Sequence, residues 1–298
     1  MTGKTVVITG ATAGIGRVTA KELAAAGARV VVIARNREKA EETRSWILAE
    51  TGSKAVELII SDLSVLSQVR SAAREVSSRA GGIDVLINNV GAVFDRRLES
   101  ADGIEMTFAL NHLAPFLLTN LLLDALKQRP GARVVTVSSD AHQGAHMDFD
   151  DLQGTRRYRA WTAYGQSKLA NLLFTAELQR RLEQAGSSVI ATAAHPGYAA
   201  TNLQFHSGKR WQDLLSHVGN TLIGQSAEAG ALPTLFAATA DIPGNSYAGP
   251  DGLFEGRGKP KLVGRSSAAK DMDVASRLWE VSEQLTGTRF PLGAGVAG

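Results

Sequence analysis

Residues 1–140 switch repeatedly between two hydrophobic periods. Short β-branched runs occur at Thr5–Thr9, Val30–Ile33, Val56–Ile60, Val85–Ile87 and Val134–Val137. Helical stretches separate them at Ile15–Ala26, Glu38–Thr51, Leu66–Ala80 and from about Gly103 to Gln128. Strand, helix, strand in this rhythm specifies parallel strands joined by crossover helices. The strands are almost wholly apolar, as they are when helices cover both faces of a sheet. The rhythm continues with a helix at Ala163–Gln184 and a strand at Ser188–Ala194. The expectation is an α/β chain built on one doubly wound parallel sheet of six to seven strands.

No linker divides the 298 residues, so a single domain over 1–298 is expected. Hydrophobic residues make up 44% and charged residues 20%, which argues against disorder. The chain has no cysteine, which excludes disulfides, thiolate metal ligands and a cysteine nucleophile. A net charge of +3 gives no reason to expect a nucleic-acid partner. The N-terminus runs straight into a strand pattern without a signal-peptide core. The longest apolar stretch, Leu113–Leu126, is interrupted by Pro115, Asn120 and Asp124 and falls short of the roughly 20 residues a bilayer requires. A cytoplasmic protein without an integral membrane anchor is therefore expected. Two segments leave the alternation, at about 140–162 and 201–225, and both follow strand ends where open α/β sheets bind ligands. A final amphipathic helix is expected at about 267–285, with Val274, Leu278, Val281 and Leu285 on one side.

Thr9-Gly10-Ala11-Thr12-Ala13-Gly14-Ile15-Gly16 lies between the first strand and the first helix. Glycines there allow a tight turn and let backbone amides approach a pyrophosphate at the helix N-terminus. The spacing is Gly-x-x-x-Gly-x-Gly, and its position after the first strand favours a Rossmann-type dinucleotide site over a plain strand-to-helix turn. The second strand ends in Ala34-Arg35-Asn36-Arg37, where an NAD site would carry a carboxylate for the ribose 2′-hydroxyl. Arg35, with Arg17 as a second candidate, suits a 2′-phosphate instead, which favours NADP(H). Ser61-Asp62-Leu63 ends the third strand; Asp62 either caps the next helix or contacts the adenine amino group. Asn88-Asn89-Val90-Gly91 ends the fourth strand and suits a turn beside a ligand.

Tyr164-Gly165-Gln166-Ser167-Lys168 opens the helix after the irregular segment and puts a phenol and an amine on one helix face. A nearby ammonium and an oxidised nicotinamide should lower the phenol's pKa from about 10. Ser138 and Ser139 end the fifth strand, and adjacent strand residues point to opposite faces, so at most one should face the site. Asn111 lies four residues before Pro115, whose missing N–H should free the Asn111 carbonyl and kink the helix.

Taken together, the Thr9–Gly16 loop, Asp62, Asn88–Gly91, Asn111, Ser139, Tyr164, Lys168 and Pro196-Gly197 resemble the short-chain dehydrogenase/reductase family over nearly the whole chain. The resemblance implies that Tyr164 is the general acid/base and that Ser139, the second serine of its pair, polarises the carbonyl. It implies that Lys168 binds the nicotinamide ribose and that Asn111 anchors a relay water. Gly10, Thr12, Ala13, Gly14, Ile15, Gly16, Arg35, Asn36, Asp62, Leu63, Asn89 and Gly91 would hold the rest of the cofactor, with Pro196, Gly197 and Thr201 on the carboxamide. Ser138-Ser139-Asp140-Ala141-His142, the residues around Tyr164, and Leu278-Trp279-Glu280-Val281-Ser282 are similar to the retinol dehydrogenase branch. That branch implies a lipophilic alcohol or carbonyl substrate.

Phe149, Trp161, Tyr198, Phe205 and Trp211 are the candidate apolar wall for such a substrate. His142 and His146 flank Gly144, which speaks against a shared helix face, and no metal site is expected; His195 is read as strand-end packing. The long Ser139-to-Tyr164 insert could obstruct the helix pair by which many relatives tetramerise, so a monomer or homodimer is expected. The reading is an NADP(H)-dependent carbonyl reductase or alcohol dehydrogenase. Its alternatives are a catalytically silent NADP(H)-binding regulator and a C=C reductase of the protochlorophyllide type, which would use a cysteine that this chain lacks.

Overall fold

The structure is a computed structural model that describes residues 1–197, 205–206 and 226–291. Seven elements alternate at the start: β1 (Thr5–Thr9), α1 (Gly14–Ala25), β2 (Arg29–Ala34), α2 (Arg37–Thr51), β3 (Val56–Ile60), α3 (Leu66–Ala80) and β4 (Val85–Asn88). One helix, α4, then spans Met106–Lys127. It is followed by β5 (Arg133–Val137), α5 (Ala160–Gln184), β6 (Ile190–Ala194), α6 (Ala227–Thr239), β7 (Tyr247–Pro250), β8 (Pro260–Leu262) and α7 (Met272–Thr286).

The strands form one eight-stranded sheet in the order β8-β7-β6-β5-β4-β1-β2-β3. Neighbours run parallel except the β7–β8 pair, which is antiparallel. The expected doubly wound sheet is present, with eight strands rather than six or seven. The two added strands are short, and glycine and proline sit within them at Gly249, Pro250 and Pro260. Such segments carry no readable period, and proline is tolerated only at a sheet's margin. A two-residue parallel ladder outside this sheet joins Val93–Phe94 to Phe205–His206.

The alternation of side chains sorts the core into two layers. Val6, Ile8, Val30 and Val32 face Ala20, Leu23, Ala40, Ile47 and Ala237, from α1, α2 and α6. Val7, Val31, Ile33 and Leu86 face Val69, Val76, Phe116, Leu122, Phe174 and Leu178, from α3, α4 and α5. Trp279 of α7 joins that second layer from outside, 4.9 Å from the Phe116 ring and 5.8 Å from Phe174. By length and composition α4, with 22 residues, could cross a membrane, contrary to the reading of Leu113–Leu126 as too short. Burial of 83% of its most apolar window makes it a core helix. Pro115 does not end α4: a π-turn at Ala109–Leu113, closed by Ala114 N–H on the Ala109 carbonyl, absorbs the missing donor.

Candidate active site

Strand order reverses between β4 and β1, and a cleft of about 390 Å³ opens at the carboxyl ends of the strands there. Its floor at one end is the glycine loop. Gly10 has φ +68°, and a Cβ there would lie 2.9 Å from the Val90 Cα. A Cβ on Gly16 would collide with Asn89 Nδ2 and the Gly10 carbonyl. Asn89 explains this crowding: its Nδ2 donates to the carbonyls of Thr9 (2.9 Å) and Gly10 (3.0 Å), fastening the loop to the end of β4. Thr9 Oγ1 accepts from the Asn89 and Val90 amides at 3.0 and 3.1 Å, closing the same seam. No side chain caps α1 at Ala13, and its first turn holds no acid. The α1 amides therefore face a narrow cradle that suits a phosphate group.

Thr12, Ala13, Gly14 and Ile15 line this end of the cleft, and Arg35, Asn36, Asp62 and Leu63 line its flank. Asn36 caps α2, accepting the Lys39 amide at 2.8 Å. Arg35 is largely exposed, with Nη1 4.0 Å from Asp62 Oδ2. An exposed pair this loose is worth little and can be redirected by an anion. Asp62 does not cap α3: its Oδ1 accepts the Ser64 amide (3.0 Å) and hydroxyl (2.7 Å), while Asp102 receives the Leu66 amide at 2.8 Å. Arg17 lies with its guanidinium 4.1 Å over the Trp46 ring and is not part of the cleft wall. Lys39 is a cation on that wall that the sequence reading missed. The available signal was a lysine in the first turn of a helix, where positive charge is unfavourable without an anion.

At the other end stand Tyr164, Lys168, Gly91 and Pro196. Tyr164 is 5% exposed. Burial pushes its phenol up to about 12, against a downward pull from the Ser139 hydroxyl. The expected lowering of this pKa is therefore not found in the chain by itself. Lys168 Nζ lies 5.5 Å from the Tyr164 ring centroid and donates to the Val137 carbonyl at 3.1 Å. Burial brings the lysine down to about 8. The two serines divide as alternation requires. Ser138, fully buried and on the cleft wall, donates to the Lys168 carbonyl at 2.8 Å, while Ser139, which is not part of that wall, turns its hydroxyl toward Tyr164.

Asn111 sits in the π-turn behind this group. Its Oδ1 accepts the Ala92 amide (2.9 Å), and its Nδ2 donates to the Ala92 carbonyl and Ser167 Oγ, both at 3.0 Å. A π-turn stands where a kink was expected, and the amide side chain fixes the segment after β4 that carries Gly91. A Cβ on Gly91 would lie 3.2 Å from Lys168 Nζ, so the glycine leaves the ammonium its room.

The substrate-wall expectations separate. Trp161 is 58% exposed, its ring 5.9 Å from that of Tyr164. Phe149 is not among the cleft-lining residues and packs under Arg277 at 4.2 Å. Phe205 is placed only by its backbone pairing with Val93. Tyr198, Thr201 and Trp211 lie outside the described residues. Phe94 and Leu110 line the cleft and were missed; each is an isolated apolar residue among others. Gly197, at φ +68°, is packed on the turn after β7 rather than on the cleft wall.

The family model for short chain dehydrogenases matches residues 4–210. Human retinol dehydrogenase 13 is 40% identical over 297 residues, covering 97% of this chain and 86% of the relative. Mouse polyprenol dehydrogenase is 37% identical, covering 96% of this chain and 84% of the relative. The crystal structure of an uncharacterized protein from Mycobacterium paratuberculosis superposes with a TM-score of 0.81 at 46% identity, covering 98% of this chain and 96% of that one.

Proposed function

The chain belongs to the short-chain dehydrogenase family, and we propose that it uses NADP(H) to interconvert a lipophilic alcohol and its ketone or aldehyde, with Tyr164 as general acid/base. The observation that carries the reading is the placement of Tyr164 and Lys168 at one end of a cleft whose other end is an uncapped helix N-terminus, with the Ser139 hydroxyl hydrogen-bonded to Tyr164. The glycine cradle and the α1 amides fit a dinucleotide pyrophosphate, with Gly10, Gly14 and Gly16 allowing the close approach.

When bound, the nicotinamide supplies the hydride in reduction and accepts it in oxidation. The protein's part is to hold the substrate oxygen and move a proton. In reduction the Tyr164 hydroxyl donates its proton to the carbonyl oxygen, and the Ser139 hydroxyl donates a hydrogen bond to that same oxygen. A phenol held up to about 12 is fully protonated near neutrality and ready to act as the acid. In oxidation the phenolate takes the alcohol proton, and a positive Lys168 on the same helix face favours that anion. Asn111 and Gly91 keep the lysine's neighbourhood in register through the Ala92 backbone.

A lipophilic substrate is supported by Phe94 and Leu110 on the cleft wall, by the exposed Trp161 ring beside Tyr164, and by relatives named for retinol and polyprenol. NADP(H) is supported by Arg35 and Lys39 on the flank and by the missing carboxylate after β2. Trp279 of α7 covers Phe116 of α4 and Phe174 of α5, which leaves that part of the helix pair no free face for a second copy. We therefore expect a monomer or homodimer.

Tyr164→Phe keeps the ring and removes the proton. Turnover of a panel of lipophilic aldehydes, followed by NADPH absorbance, should fall at least about 100-fold, the lower end of what general acid catalysis supplies, about 10²–10⁴. NADPH binding should persist, and unchanged turnover would reject the assignment. Arg35→Ala should selectively weaken catalysis with NADPH and spare NADH. A wild-type efficiency with NADH equal to that with NADPH would remove the cofactor assignment.

A further inference from the structure

One fully buried histidine lies between two carboxylates beside this acid–base group. His195 directly follows β6; its Nδ1 is 3.0 Å from Asp140 Oδ1 and its Nε2 is 3.3 Å from Glu255 Oε2. Strand-end packing alone would call for an apolar side chain here. We propose that His195 is a positioning residue: bracketed by Asp140 and Glu255, it clamps the turn after β7 onto the segments that carry Ser139 and Pro196. The inference deepens the reaction proposed above and rests on it.

Three segments meet at the ring. Asp140 is the residue after Ser139, whose hydroxyl faces Tyr164. Pro196, on the cleft wall, is the residue after His195. Glu255 belongs to the turn between β7 and β8, the hairpin that the sequence reading did not foresee. That turn is closed by Asp251 N–H on the Lys259 carbonyl (2.8 Å) and Gly252 N–H on the Arg257 carbonyl (2.9 Å). Glu255 has φ +53°, a left-handed conformation that a side-chain-bearing residue keeps only when its surroundings hold it. A Cβ on Gly249 would collide with the imidazole, so this glycine of β7 makes the ring's seat. A Cβ on Gly197 would lie 2.5 Å from the Gly256 carbonyl oxygen and 2.9 Å from that of Glu255, so the chain after His195 rests directly on the turn.

Among the described residues, three further titratable groups lie around the ring. His142 holds the Ser139 carbonyl through Nδ1 at 2.7 Å. Tyr247 of β7 lies 5.0 Å from the His195 ring, and the Arg265 guanidinium is 5.8 Å from the Tyr247 ring. The carboxylates approach opposite nitrogens of the imidazole, whose in-plane directions diverge. Nδ1 also accepts the Gly197 amide at 3.3 Å, and Nε2 makes no hydrogen bond among the described residues, so the two carboxylates bracket the ring by close approach rather than as a pair of hydrogen-bond acceptors.

The test uses the full chain with Glu255→Gln and His195→Gln. Nonanal with NADPH gives kcat and KM across pH, NADPH fluorescence gives cofactor affinity, and ¹⁵N NMR reads the imidazoles. Glu255 is partly exposed, so its variant should fold as the wild type does. Glu255→Gln should lower kcat about tenfold or more, because small displacements of reacting groups carry large rate penalties. It should change the shape of the kcat–pH profile and shift the His195 imidazole signals, with NADPH affinity held within about threefold. His195→Gln should lower kcat further. Wild-type kcat and pH profile in folded Glu255→Gln would overturn the proposal. So would one tightly held Zn²⁺ per wild-type chain whose removal abolishes activity. If the wild type turns over no carbonyl compound, the reaction assignment fails, and the NMR arm still decides the clamp: imidazole signals indifferent to Glu255→Gln would refute it.

Discussion

Replacing Lys168 with methionine should make the cofactor-free protein more stable while disabling it. Lys168 is 3% exposed, and burial brings its ammonium from 10.5 down to about 8. Each pKa unit corresponds to about 1.4 kcal/mol between the two protonation states, so a shift of this size places about 3 kcal/mol against the folded state at pH 7. Below pH 8 the lysine is charged both folded and unfolded, and the whole penalty applies. Between pH 8 and 10.5 the folded protein releases the proton first, so the penalty fades as pH rises. Methionine also gives up the bond to the Val137 carbonyl, which keeps its other donor, Asn171 Nδ2, at 3.2 Å. A net gain of about 2 kcal/mol is expected at pH 6–7, or about 3 °C in Tm for a chain of this size. The gain should shrink toward zero by about pH 10.5. Thermal unfolding of both proteins without cofactor, from pH 6 to 10.5, measures it. A variant less stable than wild type at pH 7, or a difference independent of pH, would refute the account of Lys168 as a buried, poorly compensated cation.

Asn111→Ala should lower stability by about 3 kcal/mol, because it strips the Ala92 amide and carbonyl of buried partners. It should also weaken NADPH binding by loosening Gly91; chemical denaturation and fluorescence titration check the two effects. Trp279→Ala should cost about 3–5 kcal/mol from the aromatic packing on Phe116 and Phe174, with kcat largely retained in the folded protein.

How far the sequence could be read follows from which interactions are local. The strands β1 to β6 were legible because each is an apolar run with helix-period residues on both sides. Leu66–Ala80 and Thr5–Thr9 match the structure end to end. Tyr164 and Lys168 were legible for a similar reason, since four residues on a helix fix their shared face without knowledge of anything else. The choice of Ser139 over Ser138 is harder, because alternation says that the two differ without saying which faces inward. What separates the two in the structure is a long-range partner, the Lys168 carbonyl on α5 that Ser138 donates to. The β7–β8 hairpin was not legible at all: three or four residues with glycine and proline show no period, and their pairing depends on β6 already being present. The same limit hid Asp140, His195 and Glu255, which come together only after β5, β6 and β7 lie side by side. A histidine before Pro196 reads as packing until the turn that carries Glu255 is placed above it. If the clamp is right, the least legible part of the sheet exists to steady the most legible part of the site, and Glu255→Gln should be felt at Tyr164 although no motif connects them.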